Sequence, residues 1–259
     1  VVSTYTRKWS LKETNLVIKC DEEKAIDAAI GAVVQARTEI ERLILKHPDF
    51  RWSLEPVKLE GKHPRVIELM LRAGEIADVG PFAAVAGAIS QVAAEATLEA
   101  GAKNVVIENG GDIAIFGNHE FRVGIFAGDS KGSGKLGFLV RAEELPVGIC
   151  TSSGTVGHSI SFGEADAAVA VASDAAVADA AATSIGNAVT GEDVKISIKK
   201  GLERAKEIPE IHGCLIVRKG HFGTWGKIPQ LIGLLPASRE VSDTSARYRD
   251  YGWELNPVL

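Results

Sequence analysis

Apolar and polar residues alternate along residues 14–20, the period of a half-buried strand. The spacing then lengthens: from 22 to 46, Ile26, Ile30, Val33, Val34, Ile40, Leu43 and Ile44 recur at the helical period and predict a long amphipathic helix. His47-Pro48 ends it, because the residue before a proline is pushed out of the helical region. Pro64, at a first-turn position, opens a second helix through Ile76, and Asp78-Val79-Gly80-Pro81 punctuates before an Ala-rich third helix that ends at Gly101. Short β-rich segments follow at 104–108, 112–116, 121–127, 137–141 and 147–150, separated by Gly-rich turns, and are expected to form an antiparallel meander. Another strand is predicted over 166–172, helices over 175–189 and 194–206, and a closing hairpin over 214–218 and 221–225. Strands lead into helix pairs in both halves. The expectation is an α+β fold of antiparallel sheets with helix pairs, in two related halves of a single domain without an assignable boundary.

Composition narrows this picture. The 259 residues, 46% hydrophobic and 24% charged, are ample for a closed core. Aromatics supply only 6%, so elements should approach closely on small side chains. A net charge of −5 argues against nucleic-acid binding, which needs a basic stripe, and the basic run at 195–206 reads as the solvated face of a helix. Cys20, Cys150 and Cys214 are too scattered for a disulfide framework or a CxxC zinc site, which fits a reducing compartment. The most apolar stretch, 81–100, is interrupted by Gln91, Glu95 and Glu99, and no charged-then-apolar leader is evident. A cytoplasmic protein without a membrane span is expected.

Candidate chemistry gathers in three places. Asp179 and Thr183 lie one turn apart on an Ala-rich helix, so a carboxylate and a hydroxyl project from one face and could ligate a hard cation such as Mg²⁺. The plainer reading is an exposed Asp and a Thr bonded to its own backbone. Cys150-Thr151-Ser152-Ser153-Gly154-Thr155-Val156-Gly157-His158-Ser159 is a run of hydroxyls and glycines able to cradle a phosphate, with His158 as a general base, or simply a polar loop. Within it Cys150 is either a buried inert thiol or, if exposed, a thiolate able to carry sulfur. In Asn109-Gly110-Gly111-Asp112 the glycines serve a tight hairpin or let backbone approach a ligand. Asp174 has the character of an N-cap. The stretch 129–135 imitates a phosphate loop, but Leu136 stands where that motif needs Ser or Thr.

The order of these motifs, Asn-Gly-Gly-Asp-Ile at 109–113, the hydroxyl-rich run ending at His158, and Ala-Asp-Ala-Ala-Ala-Thr at 178–183, resembles the ApbE superfamily. With Asp78-Val79-Gly80-Pro81 and Ser184-Ile185-Gly186-Asn187, the chain looks like the uncharacterised ApbE-related branch common in archaea and anaerobic bacteria. The resemblance implies paired T-fold-like units and Mg²⁺-dependent flavin transfer, in which FAD is cleaved and FMN attached to a protein threonine. It implies Asp179 and Thr183 as metal ligands, His158 as the reactive histidine, Gly110-Gly111-Asp112 bordering the nucleotide, and Thr151, Ser152, Ser153, Gly154 and Thr155 contacting a phosphate-bearing ligand such as FAD or FMN. The transferases' histidine leads into Asp-Pro-Arg-Thr-Gly, whereas Ser159-Ile160-Ser161-Phe162-Gly163-Glu164 follows here. The branch is also associated with homocysteine formation from aspartate semialdehyde. That association implies an alternative: an accessory protein of sulfur assimilation, with Cys150 as carrier and a protein partner. A third reading is a structural subunit of a homo-oligomer, since T-fold units often assemble edge to edge.

Overall fold

The computed structural model describes residues 4–125, 136–154 and 163–233. The chain opens with an antiparallel hairpin, β1 (Tyr5–Leu11) and β2 (Thr14–Cys20). β1 carries too many exposed polar residues to show the alternation expected of a strand, and it lies at a sheet edge. A helical excursion follows: α1 (Ala25–Lys46), the short α2 (Asp49–Trp52), α3 (Arg65–Ala77), a 3₁₀ turn at Pro81–Ala84 and α4 (Val85–Glu99). Pro64 stands just before α3 as its N-cap rather than inside its first turn, and α1 starts at Ala25 rather than at 22.

The chain returns as the hairpin β3 (Val105–Asn109) and β4 (Asp112–Phe116), with β3 pairing back onto β2. The expected meander is split at this point. β5 (Phe121–Ile125) and β6 (Leu136–Val140) leave the sheet and, with β11 (Gln230–Gly233), form a separate three-stranded sheet. β7 (Val147–Ser152) then resumes the main sheet beside β4 and pairs with β8 (Ala167–Ala172). Next come α5 (Ala175–Ala188) and α6 (Val194–Glu207), then the hairpin β9 (Ile211–Arg218) and β10 (His221–Gly226), with β9 on β8. The main sheet is eight-stranded, in the order β1-β2-β3-β4-β7-β8-β9-β10. The pattern of hairpin, helices and hairpin therefore occurs twice, side by side, and the two copies join where β4 pairs with β7.

The helices cover one face of this sheet, and small residues let them come very close. A Cβ on Gly87 of α4 would stand 2.2 Å from the Ala175 carbonyl oxygen, and one on Gly148 of β7 would stand 2.5 Å from the Ala175 Cα. α5 is buried from Ala175 to Gly186 without interruption. The span Pro81–Glu99 is apolar and long enough to cross a membrane, yet more than half of it is buried inside the fold. The three-stranded sheet packs on the opposite face through Phe121, Val123, Phe138 and Val140 against Ile113, Ile115, Val147 and Ile149.

Candidate functional site

The candidate site lies where the two halves meet, at one end of β4 and β7 under the start of α4. The β3–β4 turn is the predicted tight hairpin: Asn109 pairs with Asp112, and Gly110 and Gly111 hold φ of 67° and 106°. Nothing lies within 4 Å of where their Cβ atoms would be, so the left-handed backbone demands glycine there and crowding does not. Asn109 is buried; its Oδ1 accepts from Asn15 N at 3.3 Å and its Nδ2 donates to Ala86 O at 3.4 Å, which ties the hairpin to the first turn of α4.

α4 has no side-chain cap of its own. Asp179 of α5 supplies one: its Oδ2 accepts from Gly87 N at 2.8 Å, and Ala86 N–H also bonds its carboxylate. An anion is stabilised there by free N–H groups and by the positive end of the helix dipole. Burial works the other way and pushes the Asp179 carboxyl up to about 7, against those two hydrogen bonds. Asp179 is only 8% exposed and Thr183 6%, so the pair on one face of α5 points inward, not to solvent.

Asp112 is likewise 8% exposed. Its Oδ1 accepts from Thr151 N at 3.3 Å, and its backbone oxygen accepts from Ser90 Oγ at 2.8 Å. Burial, then the charge of Asp179, holds its carboxyl well above the usual range; the Thr151 N–H and the Cys150 thiol oppose this only in part. Two carboxyls from different halves of the chain are thus both buried, and the charge of Asp179 acts on Asp112.

The β4–β7 register, Ile113 with Ile149, continued by one residue sets Asp112 across from Cys150. Cys150 is fully buried, and its thiol donates to Ala175 O at 3.2 Å. Burial, then the charges of Asp112 and Asp179, pushes that thiol well above its ordinary value. A sulfur carrier needs an accessible thiolate, and the structure instead gives Cys150 a protonated, enclosed thiol. Ser152 is buried, Thr151 and Ser153 are half-buried and Gly154 is exposed at the exit of β7. Thr155 and His158, with the run to 162, lie outside the described residues, as does the imitation phosphate loop at 129–135.

Several participants were not singled out by sequence. Gly87, Ser90 and Gln91 all lie on the buried face of α4: Ser90 holds Asp112, and Gln91 Oε1 accepts from Ala175 N at 3.2 Å at the start of α5. The available signal was polar residues on an otherwise apolar Ala-rich helix. Asp174 acts as the expected N-cap, accepting from Ala176 N and Val177 N. The Lys195, Lys199 and Lys200 side of α6 is exposed, as the charge pattern predicted.

The family model described as AbpE bacteria matches residues 3–208. The chain belongs to that family. A UPF0280 protein of Methanococcus maripaludis strain C7 is 45% identical over 230 residues, 88% of this chain and 93% of its own. A UPF0280 protein of Methanocaldococcus jannaschii is 44% identical over the same shares. Among solved structures, the apo form of flavinyl transferase ApbE from Pseudomonas stutzeri superposes with a TM-score of 0.53 at 12% identity, covering 86% of this chain and 94% of that one. A mutant form of flavin transferase ApbE from Vibrio cholerae gives 0.51 at 14% identity, covering 86% and 97%. At such identities the likeness is one of fold, and the α+β, ApbE-like architecture expected from the motifs is the one observed. This AbpE-bacteria chain thus carries the fold of the flavin transferases with its polar residues gathered at the junction of the two halves.

Proposed function

We propose that this chain binds a flavin nucleotide, FAD or FMN, through its phosphates, with a Mg²⁺ ion held by Asp179 and Thr183, and that it works in the cytoplasm as a relative of the flavin transferases. The reading treats the chain as one domain whose two halves together make the site. The observation that carries it is the buried carboxyl pair at the α4 N-terminus: burial raises the proton affinity of both Asp112 and Asp179, the charge of Asp179 raises that of Asp112 further, and the groups that bond them are backbone N–H donors, with no basic side chain among the described residues. Like charges buried within reach of one another call for a proton or a cation. The donors are all oxygen, as Mg²⁺ prefers. A bound Mg²⁺ would supply charge neutralisation at phosphate oxygens.

The chain's own groups supply the rest. The hairpin at Gly110 and Gly111, with free space where their Cβ atoms would be, lets a ligand approach the backbone closely; the β4–β7 register carried on by two residues sets Gly111 across from Thr151, and Ser153 and Gly154 follow it in the chain. His158 is assigned the proton-moving role. The acceptor in any transfer would be a protein threonine. The test is titration of the purified protein with FAD, with and without Mg²⁺, followed by flavin fluorescence. Mg²⁺-dependent binding that disappears in Asp179→Ala is expected; equal binding by the variant removes the metal assignment, and no binding by the wild type removes the flavin.

A further inference from the structure

We propose that the cation site is wider than one helix: Asp112 of β4 gives it a second carboxylate and Ser152 of β7 a hydroxyl, opposite Asp179 and Thr183 of α5. This rests on the metal reading above and changes the place of Asp112 in it, from bordering the nucleotide to holding the ion.

Three observations lead to it. Asp112 is as deeply buried as Asp179, and among the described residues the charged or titratable groups acting on it most strongly are Asp179 from α5, Glu108 from β3 and Cys150 from β7, none of them cationic. A carboxylate so enclosed needs a positive partner or a proton. The second observation is Ser152, 5% exposed, whose Oγ is buried with no hydrogen-bond partner among the described residues. An orphaned buried hydroxyl is uncommon in native proteins and marks a site where something else completes it. The third is direction. Side chains alternate along a strand, so Ser152 shares the face of Cys150, whose thiol reaches the Ala175 carbonyl of α5. Ser152 pairs with Ala168 on β8, a residue of the same helix-facing core. The unbonded hydroxyl is therefore aimed between sheet and α5, where Asp179 and Thr183 project. Two carboxylates and two hydroxyls, drawn from β4, β7 and α5, make an oxygen donor set suited to a hard divalent ion.

The experiment is isothermal titration of the full chain with MgCl₂ or MnCl₂ alone, without nucleotide, comparing wild type with Asp112→Asn, Ser152→Ala and Asp179→Asn, each checked for folding by near-UV circular dichroism. Asp112→Asn should weaken the ion by at least about 10-fold, since even loss of an outer-shell partner costs that much. Ser152→Ala should weaken it by roughly 3-fold or more, on the scale of a neutral hydrogen-bonding group. Wild-type affinity in either variant removes that residue from the site, and in both it overturns the inference, while loss in Asp179→Asn alone leaves the one-helix metal reading standing. No binding by the wild type overturns both. If Asp112→Asn does not fold, Ser152→Ala decides: deleting an unbonded hydroxyl leaves no protein partner unsatisfied, so unchanged affinity there overturns the wider site.

Discussion

The two faces of the eight-stranded sheet are built on opposite rules. Toward the three-stranded sheet the buried core is built mostly of Val, Ile and Phe, with Phe138 and Ile115 completely enclosed and Lys19, opposite Val106, the charged residue buried among the described ones. Toward the helices the core is largely alanine, and among it sit Ser90, Gln91, Asp112, Ser152, Asp179 and Thr183. Large side chains fill space and leave little room for polar atoms. Small ones let α4, α5 and β7 approach until backbone donors reach side-chain carboxylates across elements. One face thus stores stability, while the other holds charge in a defined place at some cost in stability.

Substitutions can separate the two roles. The largest effect should come from Phe138→Ala, which leaves a cavity in the apolar face and should cost about 3–5 kcal/mol in chemical denaturation. It should leave Mg²⁺ affinity in the folded protein unchanged; a parallel loss of affinity would show that the faces are not independent. Gly87→Ala attacks the other face. Its methyl would meet the Ala175 carbonyl at 2.2 Å and the Asp179 Cβ at 2.7 Å, backbone and a short side chain that cannot swing away. A loss of roughly 3 kcal/mol is expected, near the upper end for overpacking, together with loss of cation binding because Asp179 is displaced.

A subtler separation uses pH. The Asp179 carboxyl is pushed up to about 7 and Asp112 shifts in the same direction, so the folded protein holds protons that the unfolded chain releases. The resulting stability is fully present below the ordinary carboxylate value of 3.8 and is lost as pH rises through about 7. The Tm of metal-free protein should therefore fall between pH 5 and 8 through these groups. Asp179→Asn should flatten that slope by a few degrees, on the order of 2–4 °C per kcal/mol for a chain of this size. Added Mg²⁺ should restore wild-type Tm at pH 8 by binding the folded state, and an equal slope in the variant would contradict the assignment. The smallest effect is expected for Cys150→Ala. An enclosed thiol bonded to Ala175 O packs like a small apolar group, so about 1 kcal/mol is lost and FAD binding persists.

The helix-facing half of this contrast was partly legible in advance. Asp179 and Thr183, four residues apart, had to share a face of whichever helix carried them, and the glycines at 110 and 111 had to make a tight hairpin between two strands. Asp174 before an Ala run had to cap it. The first strand was not legible, because Tyr5–Leu11 lies at a sheet edge and Arg7 interrupts the alternation of Tyr5, Trp9 and Leu11. Nor was the departure of β5 and β6 to a second sheet, since local alternation records which residues are half-buried but not which sheet they join.

By itself, then, the sequence determined the periodicities, the turns that only glycine allows, the caps, and an alanine content that obliges close packing. These are set by interactions within a few residues. Only the tertiary structure decided that Asp179 caps a different helix, that Asp112 stands across from Cys150, and that Ser152 faces inward with its hydroxyl unbonded. Those relations depend on how β4 meets β7 and how α4 crosses α5, contacts between segments far apart in the chain, and burial there raises the affinity of each carboxyl for its proton.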